Sequence, residues 1–433
     1  MSMPPFSCYG MRCLNPLGTW MKLFLIVTIF YIGALPLIIT DYEAGRAFND
    51  QELYHYPTIE HFKHSCDISD YPSATTPGYH LLLAPIARLT PDSKVTLKLV
   101  SSLLTALLFA TLASIIVRKL GCLDVVACLL PAMTSIYLFP SGVWLLPDNL
   151  AWLTVLCVLF FATRSPIRFW PYLVSGFALS CAVLVRQANI WLACVILVRG
   201  LFCCLHAPSL RNRIGHLSGS IFSTFPAFVL LGFFIWRWGA LVPPSFVSRH
   251  QVVNPAVPAF FLAVFFLYSV FYIPYCAHVL KELIHERGAL LLILFGFIVG
   301  LVLSLVTQTD YNWVEGRASG LWNVVRIAPV IYHRSLLICI MSSLGGATAV
   351  GLVLLTKGLT RWTILTAIPV FVMSQMANHF AFERYFAGFI FIILFLIIGD
   401  IRMKPQAKRS YFPPVFPLIL AAFNLVVLVG GLL

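Results

Sequence analysis

Charge is scarce in this chain: Asp, Glu, Lys and Arg together make up 10% of the 433 residues, against 60% hydrophobic. That balance excludes a soluble globular domain of this size, because too little polar surface would face water. Long polar segments are also missing, so residues 1–433 read as a single membrane domain with no separate soluble module. The stretch Met1–Trp20 lacks a signal peptide's order of basic, apolar and small-residue regions. The apolar run after it is long enough to span a bilayer, which predicts a retained first helix. There is no CxxC pair, no HExxH and no regular His/Cys spacing, and of twelve cysteines only Cys66 falls in an outer loop. Structural zinc and a disulfide framework are therefore not expected. No internal repeat is visible, which weighs against a transporter or flippase for lipid-linked sugars, the rival reading from another function class.

What the chain has in plenty is apolar runs. Segments of spanning length fall near 21–40, 97–117, 120–138, 148–163, 171–185, 188–206, 217–236, 257–280, 288–307, 335–356, 362–378, 385–400 and 413–433. They predict an all-α, polytopic integral membrane protein with about 12–13 transmembrane helices. The formal charge of +13 tests this topology. With a cytoplasmic N-terminus, the inner segments hold 17 basic and 4 acidic residues, whereas the outer loops hold 12 of each. The whole excess of basic residues then lies inside, as the positive-inside rule requires, and no nucleic-acid partner is needed to explain it.

Polar residues collect on the outer side. The first outer loop, about 41–96, carries Asp41, Glu43, Asp50, Glu52, Glu60, Asp67, Asp70 and Asp92, half of the acidic residues in the chain. So long a connection is more often functional than a plain linker. Leu53, Pro57, Ile59 and Phe62 space an apolar stripe within it, and Tyr79–Leu89 forms a second apolar run too short to span. Both predict amphipathic helices lying along the membrane surface. Further outer clusters are Pro147-Asp148-Asn149, Arg186-Gln187-Ala188-Asn189, Arg249-His250-Gln251, the loop from Asp310 to Arg326, and His379 to Tyr385. Each also has a plainer reading. Asp148 can cap a helix, Arg186 can extend toward the headgroups, and Glu383 and Arg384 can form structural ion pairs.

Carboxylates and arginines on one face suit a substrate with an anionic leaving group and a hydroxyl acceptor. Guanidinium groups grip phosphate oxygens in pairs and stay charged. A carboxylate can take the proton of the attacking hydroxyl, with inversion at the anomeric carbon. Tyr54, Tyr56, Tyr71, Tyr79, Trp144, Trp313 and Trp322 are candidates to stack on sugars, although Trp and Tyr are also ordinary interface anchors.

Several motifs resemble a known family. Glu52-Leu53-Tyr54-His55-Tyr56-Pro57, then Thr75-Thr76-Pro77-Gly78-Tyr79, resemble the first-loop signature of the multi-pass, polyprenyl-phosphate-sugar-dependent glycosyltransferases of the GT-C class. The nearest likeness is to the terminal alpha-1,2-glucosyltransferase family of the lipid-linked oligosaccharide pathway, which uses dolichyl-phosphate glucose. Arg186-Gln187-Ala188-Asn189-Ile190, Ser248-Arg249-His250-Gln251 and Phe382-Glu383-Arg384-Tyr385-Phe386 are similar to later family motifs, in the same order. The sequence departs from the family where Gln51 precedes Glu52 and Asp50 stands one place earlier, so the general base is either Asp50 or Glu52. The resemblance implies a GT-C-like hexosyltransferase with its site on the non-cytosolic face of the endoplasmic reticulum or bacterial inner membrane. It further implies that Arg186, Arg384 and Arg249 bind the donor phosphate. Tyr54, His55, Thr76, Gln187, Asn189, His250 and Glu383 would contact sugar or acceptor. The implied partners are a polyprenyl-phosphate sugar donor, a lipid-linked glycan acceptor and membrane lipids. No cofactor is required, though a divalent metal can assist at the phosphate.

Overall fold

The computed structural model describes residues 16–90, 93–164, 169–249, 253–314, 320–401 and 414–432. Every one of the thirteen apolar stretches contains helix. In bilayer-like surroundings this is the form that satisfies the backbone within one segment. In chain order the helices are α1 Pro16–Ile39, α2 Gly45–Asp50, α3 Tyr56–His64, α4 Gly78–Leu89, α5 Lys94–Ile116, α6 Cys122–Met133, α7 Pro140–Val143, α8 Asp148–Ala162, α9 Trp170–Val185 and α10 Leu192–His206. They continue as α11 Leu210–Trp238, α12 Val257–Ser269, α13 Ile273–Ile284, α14 Arg287–Val306, α15 Trp322–Val325, α16 Leu336–Leu354, α17 Gly358–Gln375, α18 Ala387–Asp400 and α19 Val415–Leu432. A two-stranded hairpin, Val330–Ile331 (β1) against Arg334–Ser335 (β2), precedes α16.

Six helical spans are long and apolar enough to cross a membrane. A seventh is counted if α12 and α13, bent by 103° at their junction, form one span. The protein is thus compatible with a multi-pass integral membrane protein, with shorter apolar helices such as α6, α8, α9, α18 and α19 filling out the bundle. Long α11 and α14 bury little of their surface, leaving apolar side chains such as Phe222, Leu291 and Phe295 outward. A helix apolar on its outward face requires an apolar solvent. In contrast, α18 is nearly enclosed by its neighbours, with Phe389 to Ile398 buried.

Small residues bring α14 and α16 together. A Cβ on Gly300 would stand 2.1 Å from the Ser342 carbonyl, and one on Gly346 would stand 2.1 Å from that of Gly296. The Gly-x-x-x-Gly spacing of 296 and 300 therefore seats one backbone directly on the other, as is common between helices in lipid. Caps sharpen several ends: Ser93, Ser209 and Ser335 each accept a backbone N–H at the start of α5, α11 and α16.

The bundle has two chemically different ends. At one, Lys22 donates to the carbonyls of Val117 and Leu120, Lys119 to that of Ile401, and Asp400 accepts from Lys357 N and Thr360. At the other lie the ion pairs of Asp41, Asp50, Asp67 and Asp148. Among the described residues, the first loop, Asp148, Arg186 and Arg384 meet at this second end.

Candidate functional site

The loop that follows α1 is held as a strap of three helical pieces. α2 runs directly into a π-helix, Gln51–His55, and that into α3. Residues two apart on a helical backbone point to nearly opposite sides. Asp50 turns to one side, where its Oδ2 accepts from Arg384 Nη1 at 2.6 Å. Gln51 is fully buried: its Oε1 accepts from Leu145 N at 3.0 Å, and its Nε2 donates to Glu52 Oε1 at 2.7 Å. Glu52 leaves on another side and pairs with Lys94 of α5 at 2.9 Å, where the ammonium also lies 4.6 Å from the centre of the Tyr56 ring. The same turn breaks the expected apolar stripe. Ile59 and Phe62 are packed inside the protein and do not form the expected membrane-surface stripe, and Leu53 is 63% exposed.

Asp50 therefore stands with the arginines and Glu52 does not. α9 ends at Val185 because Arg186 adopts an extended backbone, φ −148 and ψ 116, before the 3-10 turn Gln187–Trp191. This swings the Arg186 guanidinium onto Asp148, the first residue of α8. Arg384 arrives from the 3-10 turn Glu383–Tyr385. Both cations approach the Tyr385 ring, its centre 5.9 Å from Arg186 and 5.6 Å from Arg384. Two like charges so close repel, and the two carboxylates and the electron-rich ring face offset this. Burial opposes the charge on Arg384, yet Asp148, Tyr385 and Asp50 outweigh it and raise its pKa.

His55 completes the cluster. Burial lowers its pKa to about 3, and the charges of Arg384 and Arg186 push the same way, so the ring is neutral at physiological pH. Its Nδ1 lies 3.0 Å from His80 Nε2.

Other residues singled out from the sequence brace this cluster. Gln187 accepts from Thr76 N at 3.2 Å and donates to the Ala74 carbonyl at 2.9 Å, while Thr76 donates to the Val183 carbonyl at 2.6 Å. Asn189 donates to the Ala182 carbonyl at 3.2 Å, covering the end of α9. Gly78 lets α4 approach closely, since a Cβ there would stand 2.6 Å from the Leu184 carbonyl. Glu383 is buried and accepts from Tyr268 at 3.0 Å, Tyr137 at 3.3 Å and Leu321 N at 3.0 Å. Burial raises its pKa against the pull of those three donors. Thr76, Gln187, Asn189 and Glu383 thus make contacts within the protein. Arg249 ends the 3-10 turn Pro244–Arg249. His250, Gln251 and Asp92 lie outside the described residues.

The aromatic residues sort by burial. Tyr79, Trp144 and Trp322 are at most 1% exposed, and their polar atoms bond to Ser101, the Tyr42 carbonyl and the Ala381 carbonyl. They are core residues, and the sugar-stacking expectation does not hold for them. Tyr54 remains half-buried beside Phe246, ring centres 6.1 Å apart. These two residues, with His61, Asp70 and Ser245, line an open groove of about 480 Å³. Asp70 holds the far wall by accepting from Ser245 Oγ at 2.8 Å.

Asp148, read from the sequence either as part of an outer polar cluster or as a helix cap, pairs its carboxylate with Arg186. Two further residues of the cluster are not evident as site residues from the sequence. Arg46 lies one helical turn before Asp50, and its charge acts on Tyr137 together with that of Arg384; its i, i+4 spacing from Asp50 was the available signal. His80 carried no signal at all. Among the described residues, no group of three or more His, Cys, Asp or Glu side chains is placed to hold a metal ion. In comparisons with known proteins, the chain matches no family model, no curated protein and no solved structure.

Proposed function

We propose that this protein is a GT-C-like membrane glycosyltransferase that moves a hexose, glucose by its sequence resemblance, from a polyprenyl-phosphate donor to a hydroxyl of a lipid-linked or other extracytoplasmic acceptor. The observation that carries this reading is the meeting of Arg186 and Arg384 at the Tyr385 ring, with the first-loop carboxylate Asp50 in the same cluster. Paired guanidiniums beside a carboxylate meet both requirements of an inverting transfer, a grip on the leaving phosphate and an acceptor for the proton. In this reading about 12–13 apolar segments cross the membrane, the shorter ones within the bundle, and the cluster faces the lumen of the endoplasmic reticulum or the bacterial periplasm. The excess of basic residues in segments assigned to the opposite side supports that orientation.

Donor binding brings a phosphate to Arg186 and Arg384. Arg384 exchanges its Asp50 contact for phosphate oxygens, which frees Asp50 to act as base. The acceptor enters along the groove beside Tyr54, one turn beyond Asp50 on the same helical strap. Its hydroxyl oxygen attacks the anomeric carbon from the face opposite the phosphate, forming the new glycosidic bond as the bond from carbon to phosphate oxygen breaks. The electron pair leaves with the phosphate, where the guanidiniums stabilise it, and the hydroxyl proton passes to Asp50. Glu52 is the weaker candidate for the base because Lys94 and Gln51 occupy it.

The test is reconstitution of the purified protein in vesicles containing polyprenyl-phosphate sugars with radiolabelled hexose and an extract of lipid-linked glycans. A new labelled glycosidic product, lost in Asp50→Asn, supports the reading. Movement of label across the bilayer without a new glycosidic bond identifies a flippase instead.

A further inference from the structure

His80 of α4 is completely buried, and its Nε2 lies 3.0 Å from Nδ1 of His55, with the two rings inclined by only 18°. Between two neutral imidazoles such a contact needs one N–H and one bare nitrogen. Two arrangements satisfy it. In the first, His80 Nε2 carries the hydrogen and donates to a bare His55 Nδ1. In the second, His55 Nδ1 donates to a bare His80 Nε2, which moves the His80 hydrogen to its Nδ1.

The surroundings of His80 distinguish these arrangements. Its Nδ1 is buried and meets no hydrogen-bonding partner among the described residues. Buried N–H groups without an acceptor are rarer in proteins than acceptors with an unused lone pair, and leaving a donor unmet costs its full desolvation. The first arrangement keeps that nitrogen bare and therefore wins. The charged groups facing His55 are Arg186 and Arg384, each paired with its own carboxylate, Asp148 or Asp50.

We propose that His80 is a positioning residue that holds His55 as its Nε2–H tautomer, so that His55 presents a fixed hydrogen-bond donor to an anionic or hydroxylated ligand held by Arg186 and Arg384. The functional part rests on the glycosyl-transfer reading; the tautomer itself does not. Neither ring is protonated at physiological pH, since burial lowers both pKa values. The donor is therefore available without adding a third positive charge beside the arginines. His80 acts only through His55, as the second ring in a relay of fixed hydrogen positions.

Two measurements test this. In protein labelled with ¹⁵N at histidine, the resonances lost in H80Q and H55Q assign the pair. Both rings are expected to show a protonated Nε2 and a bare Nδ1. A protonated Nδ1 on either ring overturns the proposal, whatever the protein catalyses. In the transfer assay, H80Q, whose side-chain amide can replace the Nε2–H, is expected to keep turnover within about fivefold of wild type. H80F, similar in size but without the donor, is expected to lose at least about tenfold in kcat with donor KM little changed. Equal loss in both variants, or full activity in H80F, contradicts the positioning role. If H80F fails to fold, the H80Q result and the tautomer still decide. Wild-type protein inactive with every donor would count against the transfer reading while leaving the tautomer measurement intact.

Discussion

The two ion pairs at the cluster differ in how well solvent screens them, and this sets an order of strengths that can be measured. Asp148 and Arg186 keep 10% and 20% of their side-chain surface, whereas Asp50 and Arg384 keep 27% and 36%. Exposed pairs couple by about 0.2–1 kcal/mol. Removing one partner of a fully buried pair costs about 3–5 kcal/mol, because the other charge is left stranded. Screening therefore puts the Asp50–Arg384 coupling near about 1 kcal/mol, and lesser exposure puts Asp148–Arg186 at about 2–3 kcal/mol. The perturbation is a double-mutant cycle for each pair: D148N, R186M and the double variant, then D50N, R384M and theirs. Asp148 also begins α8, so its loss removes a helix-dipole interaction of about 0.3–1 kcal/mol. That contribution is common to both legs of the cycle and cancels. Denaturant unfolding of the purified protein in one detergent, followed by tryptophan fluorescence, reads the coupling. An Asp148–Arg186 coupling below about 0.5 kcal/mol, or one smaller than that of Asp50–Arg384, would refute the reasoning from burial.

Other expectations follow from single contacts. Gly78→Ala drives a Cβ against the Leu184 carbonyl and is expected to cost about 1–3 kcal/mol; Gly232→Ala, inside α11 with open space around it, serves as the clash-free control and is expected to lose no stability in the same thermal melts. Asp41→Asn suits the left-handed backbone at that position but strands the fully buried Lys98 ammonium, for an expected loss of about 2–3 kcal/mol. Adding Lys98→Met should recover most of it, and no recovery would remove the charge explanation. Glu383 has a raised pKa, so its contribution to stability is greatest below its ordinary value of about 4.5 and declines as pH rises through the higher folded value. Melting temperatures of wild type relative to Glu383→Gln are therefore expected to fall between acidic and neutral pH; a constant difference would contradict this.

Much of the architecture is visible in the sequence because the bilayer permits so few solutions. A long apolar run must satisfy its own backbone groups, and thirteen such runs become helices. The gathering of ionisable residues at one end is visible for a similar reason, since they avoid apolar surroundings. Pairings are another matter. Asp148 reads either as a site residue or as a cap, because its neighbours Pro147 and Asn149 suit a helix start; its partner Arg186 follows the end of another helix, and sequence spacing carries no record of that meeting. The π turn at Gln51–His55 is equally hidden; spacing alone sends Asp50 and Glu52 to different sides, but which of them meets Arg384 and which Lys94 is decided by packing. The bend between α12 and α13 falls inside what looks like one apolar run, 257–280. Burial of Trp144 and Trp322 depends on which helices enclose them. Composition gives the residue type but not the enclosure.

The most direct measurement is binding of a phosphate group by the arginine pair. Polyprenyl phosphate titrated into the detergent-solubilised protein should show a saturable change in its ³¹P resonance. The change should vanish in a folded R186M/R384M variant and persist in Glu52→Gln. An unchanged resonance with wild-type protein, or equal binding by the double arginine variant, would contradict the account.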